Sequence, residues 1–302
     1  MIGSGSADTT AVSFGIPFYR GLDYLGHAIR SVLAQSDPNW RAFVCDDGDE
    51  PGVEALVGNV GEGRVAYVKN PARLGIGGNF NRCLELAGTD LVTILHADDE
   101  LEPNYAGAMR ARASANPGAA ALFCNVSVIG DRGQPRFSLP DAIKRFIHPA
   151  PGREFALAGE PGVRALIRGN FIMAPTLCFR KSVLGERGFP EQYAFVLDLE
   201  LTTSLLLDGD TLIGLPERLY RYRRHDDNAT ARLTRSQQRF LEESAFYDRM
   251  LAEAGRRGWT ECVRLARQKR MLKFNLTYRT LASVAHGRLA DARRGFELLS
   301  EI

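Results

Sequence analysis

Residues 91–101 read LVTILHADDEL, and this stretch sets the fold class from which the rest of the chain is interpreted. Its first five residues are apolar or β-branched, which is typical of a buried strand and too short for the core face of a helix. The run then ends in His96, Asp98, Asp99 and Glu100. Carboxylates held close together repel one another unless a cation joins them. The stretch therefore predicts a buried strand whose end faces a binding site.

Three strand–helix pairs precede this strand. The hydrophobic pattern predicts strands at 12–16, 41–45 and 64–70, and helices at 21–35, 51–60 and 77–88. Strands that alternate with helices form a mainly parallel central sheet, so the chain is predicted to be an α/β protein. In such sheets ligands bind beyond the carboxyl ends of the strands, near the point where the strand order reverses. The polar segments PFYR, DDGD and HADDE follow three of the four strands and are predicted to line that site.

The rest of the chain is predicted to complete the sheet and then to become helical. Further strands are expected at 121–130, 176–179, 211–215 and 218–225, with a helix at 195–209. The stretch 131–160 is rich in Pro and Gly and is predicted to be a long loop, which is usually a functional or a disordered segment. From about residue 236 the pattern is helical to the end.

Charge and cysteine content exclude several classes of protein. The 302 residues carry a net charge of +2, which gives no general case for nucleic-acid binding. The five cysteines form no CxxC pair, so neither a disulfide framework nor a cysteine zinc site is expected. The N-terminal residues lack the pattern of a signal peptide, and no apolar run approaches the roughly 18–20 residues that a membrane helix needs. The sequence therefore predicts a cytoplasmic protein with reduced thiols.

A divalent cation is the partner that the acidic strand end favours. Mg²⁺ and Mn²⁺ prefer carboxylate oxygens and often share their coordination shell with substrate phosphates. The alternative is a solvated acidic turn at the start of the next helix, which is expected near Pro103. A second acidic pair, Asp46 and Asp47, ends another strand, and the basic segment YRRH occurs far downstream. These two features favour the cation site.

Several segments, in order, resemble the family 2 inverting glycosyltransferases, which have the GT-A fold. The family opens with a pattern close to VS-x-x-IP-x-YN-x-x-x-x-L-x-x-x-I-x-S-x-L-x-Q followed by DDGS, and this chain reads VSFGIPFYRGLDYLGHAIRSVLAQSDPNWRAFVCDDGD. The family then shows an N-x-G-x-x-x-N-type segment and a strand ending in D-x-D-D, and this chain reads NPARLGIGGNFNRCLELAGTDLVTILHADDEL. The resemblance covers about residues 11–230 and implies a nucleotide-diphospho-sugar transferase.

The resemblance implies roles for the residues that would hold the nucleotide. Asp47 matches the carboxylate that recognises the base, commonly uracil, and Asp46 is placed to support it. Pro17 and Tyr19 match the first nucleotide-binding loop. Arg73 precedes the turn into the third helix, where it contacts a phosphate or base, or else is a solvated loop charge.

The resemblance also implies a metal cofactor, Mn²⁺ or Mg²⁺. Asp98 and Asp99 match the metal and ribose carboxylates of the D-x-D region. The first Asp of that motif is His96 here, which leaves the ligand set open. His96 either binds a ribose or phosphate oxygen or serves as a structural side chain.

A carboxylate on the predicted helix at 195–209 is the candidate catalytic base. Inverting transfer requires a group that removes the proton from the acceptor hydroxyl. The family motif here is close to E-D-x-[DE]-L with its Asp as the base, and the resemblance assigns this role to Asp198. Leu197 replaces the Glu before it, and Glu200 cannot share a helix face with Asp198 because the two are two residues apart.

The segment YRYRRHDDNAT (220–230) matches a basic, His-containing loop of the family. Arg223 or Arg224 is expected to pair with the diphosphate, and Arg224 is the preferred candidate. His225 is a candidate metal ligand, with a phosphate contact or a purely structural role as alternatives.

The basic residues concentrate at the C-terminus. Residues 231–302 hold 15 Lys or Arg and 8 Asp or Glu, a net charge of +7, which leaves −5 for residues 1–230. We therefore predict a GT-A domain at 1–232 and a basic helical extension at 233–302. The extension is open to three interpretations: it packs on the catalytic domain, forms a homodimer, or contacts anionic lipid at the inner face of the membrane.

The resemblance as a whole implies an enzyme that moves one sugar from a nucleotide-diphosphate sugar, preferably a UDP-sugar, to a hydroxyl-bearing acceptor such as a glycan, glycolipid or small molecule. The chain lacks the Q-x-x-R-W motif of processive relatives, so addition of a single sugar is expected. Two alternatives remain. A sugar-phosphate nucleotidyltransferase would need a Gly-rich loop that PFYRGLDYL does not supply, and a non-catalytic sugar-nucleotide-binding subunit would explain His96 and Leu197.

Overall fold

The computed structural model describes residues 8–138, 143–144, 147–225 and 229–302. Nine strands form one sheet, and eight of them follow the order β3–β2–β1–β4–β8–β6–β9–β5. The ninth strand, β7, pairs with residues 211–214 at the start of β9. The strands are β1 (Asp8–Phe18), β2 (Trp40–Asp46), β3 (Val65–Lys69), β4 (Thr89–Ile94), β5 (Glu100–Leu101), β6 (Ala119–Ile129), β7 (Phe155–Ala158), β8 (Cys178–Arg180) and β9 (Thr211–Arg223).

The helices cover the sheet and then continue beyond it. Those between strands are α1 (Leu22–Leu33), α2 (Val53–Val60), α3 (Gly75–Leu86), α4 (Tyr105–Ala115), α5 (Gly159–Arg168), α6 (Lys181–Leu184) and α7 (Leu197–Leu207). The C-terminal ones are α8 (Ala229–Arg235), α9 (Gln238–Arg256), α10 (Thr260–Gln268), α11 (Arg270–Ala285) and α12 (Leu289–Glu301). Burial of Leu25, Ile29 and Val32 on one face of α1 shows the helical spacing by which these elements attach to the sheet.

The sheet is mainly parallel, as the alternating pattern predicts. The pairs β1–β2, β2–β3, β1–β4 and β6–β9 are parallel, whereas β8 is antiparallel to both β4 and β6. The strand order reverses at β1, because β2 and β3 lie on one side of it and β4 lies on the other. The carboxyl ends of β1, β2 and β4 therefore meet at the position where such sheets bind ligands.

Three predictions about the second half were wrong. The region 131–160 is not all loop, because β7 and the start of α5 lie within it, and Pro135 forms an isolated β-bridge with Ile129 before it. The two strands predicted at 211–215 and 218–225 form the single strand β9, and shifts of register opposite Phe123–Val126 accommodate its passage through Pro216. Helical structure resumes at Ala229, before the predicted start near 236.

The C-terminal helices share a hydrophobic core with the helices of the sheet domain. Phe240, Phe246 and Met250 of α9 belong to the same buried cluster as Leu166 of α5 and Leu205 of α7. Burial of these large side chains supplies a strong attachment, since each contributes about 1.5–3 kcal/mol relative to an exposed position. In the described part of the chain, every helix is too short or too polar to cross a bilayer.

Candidate functional site

One cleft of about 1370 Å³ runs along the carboxyl ends of β1, β2 and β4 to the C-terminal helices. It brings together most of the residues that the sequence singles out. The predicted site residues on its lining are Pro17, Tyr19, Asp47, Arg73, Asp98, Asp198, Arg224 and His225. Of the other candidates named in the sequence, His96 also lines the cleft, whereas Asp46, Asp99 and Arg223 do not.

Asp47 is buried and held in one orientation. Its Oδ1 accepts hydrogen bonds from the backbone N–H of Leu74 at 2.7 Å and from Asn70 Nδ2 at 3.0 Å. Its Oδ2 accepts one from the N–H of Gly75 at 2.9 Å, at the start of α3. A carboxylate has about four lone-pair positions, so Oδ2 retains one acceptor site for a ligand.

A glycine allows the first two strand-end loops to lie in close contact. A Cβ at Gly48 would lie 1.9 Å from the carbonyl oxygen of Tyr19, so only glycine allows the DDG turn to approach the first loop this closely. The guanidinium of Arg73 stacks over the Tyr19 ring at 4.4 Å from its centroid. This cation–π contact places a positive charge on the cleft wall beside Asp47.

Asp46 faces away from the cleft. It accepts hydrogen bonds from Tyr67 Oη at 2.7 Å and from the N–H of Gly48 at 2.9 Å, and it forms an ion pair with Lys69 at 3.2 Å. Burial and the hydrogen bond to Asp46 raise the pKa of Tyr67 to about 12. Adjacent residues point to opposite sides of an extended backbone, so Asp46 anchors the loop while Asp47 faces the cleft.

Asp98 and His225 meet at the end of β4. Asp98 Oδ2 lies 2.9 Å from His225 Nε2, although the two residues are 127 positions apart in the chain. Burial raises the pKa of Asp98, but the hydrogen bond to His225 and the nearby His96 imidazole outweigh burial and lower it below its ordinary value. The side chain of Asp98 is 30% exposed, so this carboxylate remains open to a ligand in the cleft.

His96 lies beside this pair. One ligand atom each from His96, Asp98 and Asp99 fall within 4.8 Å of one another. The His96 ring packs on Phe80 at 5.4 Å, and burial lowers the pKa of the imidazole, which favours the neutral form that can coordinate a metal.

The carboxylate of Asp99 accepts hydrogen bonds from β9. Tyr220 Oη donates to its Oδ2 at 3.0 Å, and the N–H of Arg223 donates to its Oδ1 at 2.7 Å. Burial and the charge of Asp98 raise its pKa well above the ordinary value. The donors that open into the cleft are therefore Asp98, His225 and His96, a mixed oxygen and imidazole set that could hold a divalent cation.

The two candidate arginines differ in their surroundings. Arg223 is buried and forms an ion pair with Glu100, and its guanidinium also donates to the backbone oxygens of Asp98 at 2.8 Å and Gly130 at 2.9 Å. Arg224 lines the cleft, where its guanidinium lies 4.9 Å from the centroid of the Tyr222 ring. Arg223 therefore braces the acidic loop, and Arg224 is the one presented to a ligand.

Asp198 lies in the first turn of α7 and is partly buried. Asn170 Nδ2 donates to its Oδ2 at 3.2 Å, and the N–H of Ile172 orients the Asn170 amide through a 3.2 Å bond. Burial raises the pKa of Asp198, and the positive charge of Lys144 only partly offsets this effect. Glu200 points elsewhere, and its buried carboxylate forms an ion pair with the partly exposed Arg249.

Glu242 of α9 is a positioning residue that the sequence did not indicate. Its carboxylate accepts hydrogen bonds from the backbone N–H groups of Ala194 at 3.0 Å, Phe195 at 2.6 Å and Val196 at 3.3 Å. These groups immediately precede α7, whose second residue is Asp198, so Glu242 fixes the start of the helix in the place of a local cap. No sequence pattern links two segments so far apart in the chain.

Residues 13–174, more than half of the chain, match the model of the family described as Glycosyl transferase family 2. The chain belongs to glycosyl transferase family 2. The structure shares its fold with S. aureus TarS. The TarS 1–349 structure in complex with UDP-GlcNAc has a TM-score of 0.60 at 17% identity, covering 80% of this chain and 66% of that chain. The complex of TarS 1–349 with UDP has a TM-score of 0.56 at 18% identity, covering 81% and 64%.

Two curated proteins align with this family 2 member over 92 residues each. The uncharacterized protein MT1568 of Mycobacterium tuberculosis (strain CDC 1551 / Oshkosh) is 30% identical, over 30% of this chain and 29% of that protein. The UDP-Glc:alpha-D-GlcNAc-diphosphoundecaprenol beta-1,3-glucosyltransferase WfgD of Escherichia coli is 29% identical, over 30% of this chain and 36% of that protein. The matched segment spans about a third of each of these relatives.

Proposed function

We propose that the protein is a metal-dependent inverting glycosyltransferase that moves one sugar from a UDP-sugar to an acceptor hydroxyl. The observation that carries the proposal is a single cleft lined by Asp47, by the Asp98–His225 pair and by Asp198. The UDP donor is supported by the name of WfgD, which specifies UDP-Glc, and by the TarS complexes with UDP and UDP-GlcNAc.

The nucleoside is proposed to lie between the first two strand-end loops. Asp47 offers its remaining acceptor position to a base N–H, such as N3–H of uracil. Pro17, Tyr19 and Arg73 line the same end of the cleft, where Arg73 supplies a guanidinium for the base or for a phosphate.

The diphosphate is proposed to lie between Arg224 and the end of β4. Asp98 and His225 would hold Mn²⁺ or Mg²⁺, with His96 as a third donor, and the cation would neutralise the diphosphate. Arg224 pairs with the phosphate oxygens from the opposite side. Two positive groups on the leaving group stabilise the charge that it gains as the glycosidic bond breaks.

Asp198 is proposed as the general base. The acceptor oxygen attacks the anomeric carbon from the face opposite the diphosphate and forms the new bond, while the bond to the β-phosphate oxygen breaks and UDP leaves. Asp198 takes the hydroxyl proton, and its raised pKa makes it a better proton acceptor than an exposed carboxylate. Attack from the opposite face inverts the anomeric configuration.

This function is tested by measuring the UDP that the protein releases from UDP-Glc or UDP-GlcNAc in the presence of Mn²⁺. Water serves as the acceptor in this assay. Asp198→Asn is expected to lower the rate by about 10²- to 10⁴-fold, the usual contribution of a general base, while UDP affinity stays within about twofold. The control is Asp208→Asn at the other end of α7, whose exposed carboxylate pairs with Arg187. Full activity of Asp198→Asn would show that the base is a different residue.

We further propose that residues 1–232 form the catalytic domain and 233–302 an extension attached to it. In this proposal the protein acts in the cytoplasm, in the synthesis of a polysaccharide, glycolipid or natural-product glycan. The extension could then also meet a second copy or the inner face of the membrane, and its net charge of +7 from residue 231 onward supports the second partner.

A further inference from the structure

Part of the cleft lining comes from the C-terminal helices together with Lys144, and this part is positively charged. We call this surface the cationic wall, and it consists of Lys144, Arg232, Arg239 and Arg279. Among the described lining residues from α8 onward, the acidic side chain is Glu243. The strand-end loops supply the residues proposed to hold the nucleoside, and the four cationic side chains of the wall come from other parts of the chain.

Arg239 is held rigidly in this wall. Its Nε donates to Glu243 Oε1 at 2.9 Å, and its guanidinium lies 4.5 Å from the centroid of the Phe195 ring and 5.7 Å from that of Phe240. A guanidinium fixed by stacking and by one carboxylate keeps other N–H donors for a further partner, because arginine has five.

Arg279 of α11 lines the same cleft, close enough to Arg239 for their charges to interact. Burial and the charge of Arg239 lower the pKa of Arg279, and Arg288 and Arg224 act in the same direction. No carboxylate of the described residues forms an ion pair with Arg279. Like charges held close together raise the free energy of this surface, and an anion bound between them would lower it.

The cationic wall is continuous with the catalytic end of the cleft. Lys144 lies close enough to influence the charge of both Asp198 and Glu243, and its Nζ donates to the backbone oxygen of Ile172 at 3.3 Å. Glu243 in turn bonds Arg239. A ligand bound by the arginines would therefore extend toward the proposed base.

We propose that the cationic wall binds a phosphate group of the acceptor, so that the acceptor is a phosphate-bearing molecule whose hydroxyl reaches Asp198. This inference rests on the proposed transferase function and assigns a substrate class to it. Arginine suits this task because its planar fork of N–H groups matches phosphate oxygens.

The phosphate could belong to a lipid or to a water-soluble molecule. Phe274, Tyr278 and Leu281 of α11 are more than half exposed, and they lie on the same helix as Arg279 at a spacing that repeats along one side. An acceptor with an apolar chain would gain affinity from these side chains, whereas a soluble one would not.

Calorimetric titration of protein saturated with UDP and Mg²⁺ tests the proposal, first with inorganic phosphate and then with farnesyl phosphate. Phosphate is expected to bind while UDP stays bound, and Arg279→Gln is expected to weaken it about fivefold through loss of a charge-assisted contact. The matched control is Arg267→Gln, because Arg267 is an exposed arginine of α10 outside the cleft lining and should leave phosphate binding unchanged.

Two results would overturn the proposal. Either phosphate competes with UDP for one site, or the Arg279→Gln variant binds phosphate with the same affinity as the unaltered protein. Failure of UDP itself to bind would count against the proposed function instead, and phosphate titrated alone would then still show whether Arg279 holds an anion. Farnesyl phosphate that binds at least about tenfold more tightly than phosphate indicates a lipid-linked acceptor, and equal affinity indicates a soluble one.

Discussion

The carboxylates of the cleft differ in their burial and in the groups that surround them. Asp47 receives three hydrogen bonds and serves as a fixed acceptor, whereas Asp98 is partly exposed beside two imidazoles and is suited to a cation. Asp198 lies in a poorly solvated position with one amide donor, and this environment is suited to a proton acceptor. Residues of one type thus acquire three proposed roles from burial and from their neighbours.

Asp198→Asn is expected to stabilise the protein at neutral pH while it removes turnover. The pKa of Asp198 is higher in the folded than in the unfolded state, so the folded state loses stability as pH rises between those two values. The neutral amide avoids this cost and can still accept from Asn170. We expect a melting temperature about 1–3 °C higher at pH 7 and no difference at a pH where Asp198 is protonated. A lower melting temperature at pH 7 would contradict the raised pKa.

Gly48→Ala tests the contact between the first two loops. The added Cβ would meet the Tyr19 carbonyl at 1.9 Å, and relief of such a clash costs about 1–3 kcal/mol. We expect denaturant unfolding to show this loss, and titration to show weaker UDP binding. Gly58→Ala in α2 is the control, since no atom lies within 4 Å of its new Cβ, and its stability should be equal or higher. Equal behaviour of the two variants would rule out the proposed constraint.

At the scale of elements, the sequence predicts the first four strands of the sheet better than its short strands β5 and β7. Strands β1 to β4 and the helices between them follow from hydrophobic period and turn residues, which are local signals. The two-residue β5 and the four-residue β7 are too short to show a period, and they form only because β9 pairs with them. The predicted strand ends therefore locate the cleft, whereas contacts between distant segments complete it.

Glu242→Gln tests whether α9 positions the base. Three N–H groups before α7 lose a charged acceptor, which is expected to cost about 1–3 kcal/mol and to lower the turnover number more than the UDP affinity. Glu253→Gln on the same helix is the control, because its partners Arg256 and Arg257 are at the surface and such pairs contribute about 1 kcal/mol or less. Equal loss of turnover in both variants would contradict the positioning role.

At the scale of the whole molecule, the cleft draws on nearly the full length of the chain. Strand-end loops of the first hundred residues form the proposed donor end, and helices after residue 229 form the other end. The sequence predicted most of the polar residues that line the proposed donor end, but it could not show that Asp46 and Asp99 point away from the cleft, because a run of adjacent acids does not reveal which side chain points to the cavity. It also could not show that Arg239 and Arg279 share the cleft with Asp198, since folding alone brings these segments together.

The most direct test of the account is the melting temperature of the protein with UDP, GDP, dTDP or CDP, each with and without Mn²⁺. A ligand at 100 times its Kd stabilises the folded state by about 2.7 kcal/mol, which is a shift of several degrees. We predict that UDP with Mn²⁺ gives this shift, that UDP without metal gives much less, and that Asp98→Asn removes the difference between them. No shift with any nucleotide, or a UDP shift of the same size without metal, would contradict a metal-dependent UDP-sugar transferase.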